Sequence, residues 1–242
     1  MRFYGWSPRR WAGRSPRPPS ARAESVFPLG SLRWLWGRLV AALTARTSKL
    51  RWRGLRLLAA DHTALNLPET KALYKRFGAH KGKKGLGAIT VEFACLFHVL
   101  SRAPFRYTFD PCKTSDHELL RALLPGIRKA DLVLLDNGFY SLAAFLLVRH
   151  RLAHFLIPIK KSGRPRVLNG LGPSDYLCRI ESQGQSLTVR VIFVYRDGFR
   201  RRRLVTSLLD PDQYPAAELA EIYHKRWDIE TFYRDFKRTM KA

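Results

Sequence analysis

The segment YHKRWDIETFYRDFK, which begins at Tyr223, carries a helical repeat with two separate faces. Arg226, Glu230 and Lys237 follow Tyr223 by three, seven and fourteen residues. At about 100° per residue on an α-helix, these four side chains fall within roughly 60° of one another. The apolar side chains fall together on a different face and are Ile222, Ile229, Phe232, Phe236 and Met240. The spacing predicts one long helix with a buried side and a side on which a carboxylate lies among cations and a phenol.

Spacing alone leaves two interpretations of this polar face open. Amphipathic helices commonly mix Glu with Lys and Arg on the side that faces water, where each pair adds only about 0.2–0.5 kcal/mol. The four residues therefore indicate either an ordinary solvated face or a functional one, and other features of the sequence must decide between them.

The charge of the chain is strongly positive. Its 242 residues include 44 Lys and Arg against 19 Asp and Glu, which gives a net charge of +25. Neutralisation of phosphates with release of counterions drives the affinity of such proteins for nucleic acids. The composition therefore favours a polyanionic partner. Charge by itself leaves open DNA binding, a structural RNA-binding role and attachment to a membrane surface.

Neither disulfides nor membrane spans are expected from the sequence. Cys95, Cys112 and Cys178 are far apart and form no paired pattern, which favours reduced thiols in an intracellular protein. The most apolar stretch, residues 32–45, is interrupted by two arginines and is too short to cross a bilayer. We predict a short amphipathic helix there, and a cytoplasmic protein without membrane contact.

A change in composition divides the chain near residue 50. Residues 1–50 are rich in Arg, Pro and Ser, and Glu24 is their only acid. We predict a disordered basic N-terminal segment, since such a sequence cannot bury enough apolar surface to fold. A transit peptide has a similar composition, but nothing else in the sequence supports one. Residues 51–242 predict one α/β domain, in which residues 162–208 hold a loop and three strand-like runs.

Two predicted strands end in aspartate. The run LRLLAAD ends at Asp61 and the run ADLVLLD ends at Asp136, at the strand edge where α/β sheets usually collect functional groups. Each has an ordinary alternative, as a turn or capping acid at Asp61 and as the turn residue of a D-N-G sequence at Asp136. If both approach Glu230, the ionised carboxylates need a cation, and Mg²⁺ bound through carboxylates and phosphate oxygens supplies one.

In this order, the residues resemble the three catalytic motifs of DDE transposases of the bacterial insertion-sequence class. The first motif, D-x-T with a downstream L-P, matches at Asp61, and the second is found as DNGFYS at Asp136. The third, Y-x2-R-x3-E-x6-K, is complete from Tyr223 onward, and the resemblance covers residues 55–240. It implies an α/β fold with an RNase H-like mixed sheet flanked by helices, and a β-rich insertion at residues 162–208 before the last catalytic helix.

The resemblance also implies a chemistry. Asp61, Asp136 and Glu230 would be both the catalytic residues and the metal ligands, holding two Mg²⁺ ions for which Mn²⁺ can substitute. Asp61 would bridge the two ions, and each of the other carboxylates would hold one. The reaction would be metal-dependent phosphodiester hydrolysis and strand transfer at transposon ends, which together make up DNA-mediated transposition.

DNA contacts are expected along the predicted helix. By the same resemblance, Tyr223, Arg226 and Lys237 would contact phosphates near the transposon end, for which guanidinium, ammonium and phenol groups are suitable donors. Trp227 lies toward the polar side and could stack on an unpaired base. Packing in the core or between domains is the commoner role for such an aromatic residue.

Three departures from the family pattern shape the expectations for this chain. His62 follows Asp61, where the family commonly has Gly. Family members usually carry an N-terminal DNA-recognition region, whose place residues 1–50 take here, and they continue with further helices beyond Ala242. We therefore expect a copy truncated at both ends that binds double-stranded DNA, as a homodimer where two transposon ends are paired. A catalytically inactive DNA-binding remnant is the alternative.

Overall fold

The computed structural model describes four stretches of the chain, residues 29–82, 85–160, 163–195 and 202–240. Contacts divide the chain into two units, residues 1–46 and 47–242. Helix α1 (Leu29–Thr47) accounts for the described part of the first unit and contains the helix predicted at residues 32–45. The rest of the segment predicted to be disordered, residues 1–28, lies outside the described residues. No helix in the described stretches is long and apolar enough to cross a membrane.

Ten strands in the described part of the second unit form one mixed sheet. They are β1 (Arg56–Asn66), β2 (Ala79–Gly82), β3 (Gly85–His98), β4 (Ala103–Pro111), β5 (Asp131–Leu135), β6 (His154–Pro158), β7 (Arg166–Gly172), β8 (Asp175–Ser182), β9 (Gln185–Val194) and β10 (Arg202–Thr206). The helices of this unit are α2 (Lys71–Phe77), α3 (Asp116–Leu123), α4 (Leu142–His150), α5 (Ala216–His224) and α6 (Trp227–Met240).

Three parallel strands lie in the middle of the sheet. The strand order is β2-β3-β1-β5-β6-β10-β9-β8-β7, and β4 also pairs with β3. β5 runs parallel to β1 and β6, while the other neighbouring strands are antiparallel. Helices α5 and α6 pack on one face, and α3 and α4 pack on the other. The predicted architecture, a mixed sheet flanked by helices, is confirmed.

The central strands are buried on both faces because their residues alternate between two hydrophobic cores. In β1, Leu57 and Ala59 belong to the core beneath α5 and α6, whereas Leu58 and Ala60 belong to the core beneath α3 and α4. A strand buried on both faces has a continuous apolar sequence rather than an alternating one. The runs RLLAA and DLVLL are therefore recognisable as strands from sequence.

The strands of residues 162–208 extend the main sheet. β10 pairs with β6, and β9, β8 and β7 follow outward, of which β7 is not among the predicted strands. The fully buried Arg190 binds both carboxylate oxygens of Asp175, at 2.8 and 2.5 Å. Its Nη1 donates to the carbonyl oxygen of Tyr214 at 2.6 Å. This network joins β8 and β9 to the segment that leads into α5.

The Gly-rich segment 78–88 contributes β2 and the start of β3. One predicted element differs in the structure. The single helix predicted through Tyr223 and Lys237 is divided into α5 and α6. Between them, the N–H of Arg226 donates to the Tyr223 carbonyl at 3.0 Å, and the N–H of Ile229 donates to the Arg226 carbonyl at 3.1 Å. Such three-residue hydrogen bonds tighten the chain to about 3.0 residues per turn, which changes the face that later residues occupy.

Candidate active site

Asp61 and Asp136 lie side by side where the parallel pairing of β1 and β5 ends. The last pair of that register is Ala60 with Leu135, so the two aspartates are the next residues on neighbouring strands. Asp61 does not end its strand, contrary to the prediction, because β1 continues along β3 as far as Asn66. β5 does end at Leu135, and both carboxylates lie directly beyond the point at which its pairing with β1 stops.

A single guanidinium lies among the three predicted catalytic carboxylates. Arg226 belongs to the turn between α5 and α6 and is only 5% exposed. Its Nη1 is 3.2 Å from Asp61 Oδ2, and its Nη2 is 3.6 Å from Asp136 Oδ1 and 2.6 Å from Glu230 Oε1. The structure thus brings together three carboxylates that are distant in sequence, with an arginine between them.

Burial of Asp61 dominates the electrostatics of this cluster. Burial raises the pKa of Asp61 above its usual range, and the neighbouring Asp136 carboxylate adds to the rise. The Arg226 guanidinium opposes it, as does the N–H of His62, which donates to Asp61 Oδ1 at 2.8 Å. The Nε of Arg226 is buried and has no hydrogen-bond partner among the described residues. The guanidinium therefore offsets part of the carboxylate charge and retains an unused donor.

The ligand types in this cluster suit a hard divalent ion, which prefers carboxylate oxygens. In the part of the chain that the structure describes, no three His, Cys, Asp or Glu side chains are close enough together to hold a metal ion. The carboxylates instead face the guanidinium. A metal site built from Asp61, Asp136 and Glu230 therefore fits by ligand type, and it requires Arg226 to move away.

Two buried tyrosines donate hydrogen bonds from α5 and α6 to the strands that carry the aspartates. The Tyr223 hydroxyl, on α5, donates at 3.2 Å to the carbonyl oxygen of Leu135, the residue before Asp136. The Tyr233 hydroxyl, on α6, donates at 2.5 Å to the carbonyl oxygen of Asp61. Burial raises the pKa of Tyr223 to about 12 and that of Tyr233 well above its usual range. Both hydroxyls therefore remain protonated donors.

Tyr233 is a residue of this site that no sequence motif singles out. It stands next to Phe232 in an aromatic run, where a phenol is readily counted as core. One signal was available, because Tyr233 follows Glu230 by three residues and positions three apart lie on the same side of a helix.

His62 stands directly after Asp61, where the resemblance predicts a glycine. Its imidazole lies between two carboxylates, with Nδ1 3.1 Å from Glu92 Oε2 and Nε2 3.2 Å from Asp116 Oδ1. Asp116 also lies against Gly138, where a Cβ would stand 2.1 Å from Asp116 Oδ2. The glycine of the second motif is thus explained by close packing, and the histidine after the first motif has partners on β3 and α3.

The four predicted DNA-binding residues differ in their exposure. Tyr223, at 5% exposed, and Arg226 have protein partners for their polar groups, and the phosphate contacts expected of them stay predictions. Lys237 is half-buried on α6. Trp227 is 47% exposed, its ring lies 5.6 Å from that of His224, and it borders a cavity of about 670 Å³ lined by β9, β10 and α5. Of the four, Lys237 and Trp227 are therefore the ones that reach solvent.

Comparison with known proteins identifies the family. The family model described as "Transposase DDE domain" matches residues 52–242, and the chain belongs to this family. The resemblance expected from the three motifs is confirmed. Enzymes of this family generally use divalent metal ions.

Individual relatives show similarity over most of this chain. It is 29% identical over 241 residues to the transposase InsG for insertion sequence element IS4 of Escherichia coli (strain K12), an alignment that covers 92% of this chain and 54% of that protein. The chain therefore spans about half the length of this curated relative. Among solved structures, it is similar to a cryo-EM structure of the piggyBac transposase synaptic complex with hairpin DNA. The TM-score is 0.47, with 12% identity, and the match covers 90% of this chain and 46% of that chain.

Proposed function

We propose that the chain is the catalytic domain of a DNA transposase, which hydrolyses phosphodiester bonds and transfers strands at transposon ends. The observation that carries the proposal is the convergence of Asp61, Asp136 and Glu230 on one guanidinium. These carboxylates come from β1, from the end of β5 and from α6, so their meeting requires the whole fold. Membership of the transposase DDE family supports the same conclusion.

The three carboxylates would hold divalent ions, with Mg²⁺ or Mn²⁺ proposed. When bound, two such ions activate water or a DNA 3′-hydroxyl and stabilise the leaving oxygen. The side chain of Asp61 is 16% exposed, against 47% for Asp136 and 49% for Glu230. Asp61 would therefore be the innermost of the three residues that hold the ions, and Asp136 and Glu230 would hold them from the side that is open to solvent.

Arg226 would change partners when DNA and ions bind. A guanidinium binds carboxylate and phosphate with the same paired N–H geometry. The buried Nε of Arg226 has no partner within the described ranges, so the side chain has donor capacity left for a phosphate oxygen. Arg226 offsets part of the carboxylate charge in the free protein and contacts a DNA phosphate in the complex. This exchange accounts for both its burial and its place in the signature motif.

The remaining DNA contacts would come from the accessible side chains near α6. Lys237 binds a phosphate, and Trp227 stacks on an unpaired base beside the cavity that it borders. The net charge of +25 supports double-stranded DNA as the partner, through counterion release. Pairing of two transposon ends calls for two catalytic sites, which a homodimer supplies. The place of action is the cytoplasm, on the nucleoid when DNA is bound.

Nicking of supercoiled plasmid by the full chain, with Mg²⁺ or Mn²⁺ present, tests this function. We expect nicking that a chelator stops and that Glu230→Gln abolishes. The control is Glu181→Gln, which alters an exposed carboxylate on β8 and should leave nicking intact. Metal-dependent nicking that persists in Glu230→Gln would contradict the proposal.

A catalytically inactive DNA-binding remnant is the second candidate. One observation favours it, since the described residues hold no three-ligand cluster and Arg226 occupies the space among the carboxylates. This function predicts DNA affinity that falls steeply with salt and no cleavage at any metal concentration. The plasmid assay, combined with a salt titration of DNA binding, separates the two.

A further inference from the structure

We propose that Tyr233 is a positioning residue, whose hydroxyl fixes the main chain at Asp61 relative to the helix that carries Glu230. The inference deepens the proposed function and rests on it, because its consequence is the geometry of the metal-binding carboxylates. Tyr233 does not touch the reacting atoms and acts only through Asp61.

The hydrogen bond is short and enclosed. The Tyr233 hydroxyl lies 2.5 Å from the carbonyl oxygen of Asp61 and 3.4 Å from Cys95 Sγ. The side chain is 5% exposed, and its ring stands edge-on to Phe93 with 5.7 Å between centroids. The ring therefore packs in the core like a phenylalanine, and the hydroxyl adds one directed contact to β1.

β1 needs such a contact at this residue because its sheet pairing changes there. From Leu58 to Ala60 it pairs with β5 on one side and with β3 on the other. From Asp61 to Asn66 only the pairing with β3 continues in the described structure. Asp61 is the first residue beyond the support of β5, and Tyr233 donates to its backbone at that point.

The same contact sets the distance between the first and third carboxylates. Glu230 and Tyr233 are three residues apart on α6, so they lie on one side of the helix. Glu230 faces Asp61 through Arg226, while Tyr233 holds the Asp61 carbonyl directly. The hydrogen bond thus fixes the position of α6 along β1 at Asp61, whose carboxylate Glu230 must approach.

The two carboxylate oxygens and the carbonyl oxygen of Asp61 each accept a hydrogen bond from a different donor. Oδ1 accepts from the His62 N–H, Oδ2 from Arg226 Nη1, and the carbonyl oxygen from Tyr233. Arg226 must leave when ions bind, whereas the other two donors can stay. Tyr233 therefore preserves the placement of Asp61 in the metal-bound state. Loss of such outer partners of metal ligands typically lowers metal affinity by about 10- to 100-fold.

The experiment is calorimetric titration of Mn²⁺ into the full chain in the presence of a short DNA duplex. Wild type is compared with Tyr233→Phe, which keeps the ring and removes the hydroxyl. The matched control is Tyr214→Phe, since Tyr214 lies in the same hydrophobic core with its ring 5.8 Å from Trp52. Urea unfolding and metal-free DNA affinity are measured on all three proteins.

We expect Tyr233→Phe to bind Mn²⁺ at least about tenfold more weakly than wild type. Tyr214→Phe should bind Mn²⁺ like wild type, and metal-free DNA affinity should be equal in all three. Equal Mn²⁺ affinities in Tyr233→Phe and wild type would overturn the positioning role alone. A loss of affinity in both variants that follows their loss of stability would also overturn it. Wild type that binds no Mn²⁺ would overturn the proposed metal site and this inference together.

Discussion

The Tyr223 hydroxyl donates a hydrogen bond of 3.2 Å to the carbonyl oxygen of Leu135. Leu135 is the last residue of β5 and is followed directly by Asp136, so this bond holds the end of α5 against the strand that presents the second carboxylate. The first residue of the signature motif is therefore buried and contacts protein in the free state. Its neighbour Arg226 contacts the carboxylates themselves.

We predict that Tyr223→Phe lowers the free energy of unfolding by about 1 kcal/mol, because it leaves a buried carbonyl without this donor. DNA affinity should stay the same, since the hydroxyl faces Leu135 rather than solvent. Urea unfolding and DNA binding at several salt concentrations check both parts. A smaller salt dependence in the variant, with unchanged stability, would show that Tyr223 contacts phosphate instead.

Removal of the Arg226 guanidinium should leave the three carboxylates without a positive charge beside them. We predict that Arg226→Met, measured in the presence of a chelator that removes metal ions, lowers the free energy of unfolding by about 3 kcal/mol or more. The reason is that Asp61 is left buried without its counterion. Mn²⁺ should recover more stability in the variant than in wild type, since no arginine has to be displaced. Thermal unfolding with and without Mn²⁺ measures both effects.

An exposed arginine provides the control for that experiment. Arg53 pairs with Glu218, and both side chains are more than a third exposed. Arg53→Met should therefore change stability much less than Arg226→Met, and Mn²⁺ should stabilise it as it stabilises wild type. If Arg226→Met were as mild as Arg53→Met and gained no more stability from Mn²⁺ than wild type does, Arg226 would not be the counterion of the carboxylates.

The close approach of Gly138 and Asp116 gives a prediction about packing. We expect Gly138→Ala to destabilise the protein by about 1–3 kcal/mol, because the new Cβ would lie 2.1 Å from Asp116 Oδ2. Gly170→Ala on β7 is the control, since a Cβ there would meet nothing within 4 Å. Urea denaturation of the two variants measures the difference.

A double variant shows whether the clash is the cause. Asp116→Ala removes the obstructing carboxylate, so Gly138→Ala should cost less stability in that background than in wild type. If the stability costs of the two substitutions were strictly additive, the clash with Asp116 would not be the cause of the destabilisation by Gly138→Ala.

We expect His98 to make the stability of the protein depend on pH. Burial lowers the pKa of His98 below its usual range, and Arg56 adds to the effect. Its Nδ1 accepts from the Ser101 N–H at 3.1 Å, which requires an unprotonated nitrogen. The folded state then binds fewer protons than the unfolded state. This contribution to stability is complete above the unfolded pKa of about 6.5 and is lost as the pH falls through the lowered folded-state value.

We predict that His98→Asn removes this part of the pH dependence, since Asn can still accept from Ser101 as the capping residue of the turn. Unfolding free energies measured between about pH 7.5 and about pH 5 should fall less in the variant than in wild type. Equal slopes in the two proteins would mean that His98 does not titrate within this range.

The sequence predicted the features of this site that depend on local pattern. Asp61 and Asp136 each follow a continuous apolar run, which indicates a buried strand and places an acid near its end. The continuation of β1 to Asn66 was missed because residues beyond Asp61 are largely exposed and polar on one face, and they are held only by β3.

The missed features depend on hydrogen bonds and charge pairs that the residue pattern does not reveal. The break between α5 and α6 comes from three-residue hydrogen bonds at Arg226, which a periodicity of 3.6 residues does not reveal. The burial of Arg226 needs three carboxylates from other elements to offset its charge. The partner of Tyr233 is 172 residues earlier in the chain. Helical spacing identified the residues of the motif but could not say which of them face the interior.

The most direct test of the proposed centre is the Mn²⁺ affinity of the chain after single changes to each carboxylate. Calorimetric titrations with a DNA duplex present would compare wild type with Asp61→Asn, Asp136→Asn and Glu230→Gln, and Glu181→Gln would serve as the exposed control. We predict weaker Mn²⁺ binding in all three site variants, with the greatest loss in Asp61→Asn because its carboxylate is the innermost. Wild-type affinity in Asp61→Asn and Glu230→Gln would show that these carboxylates do not form one metal site.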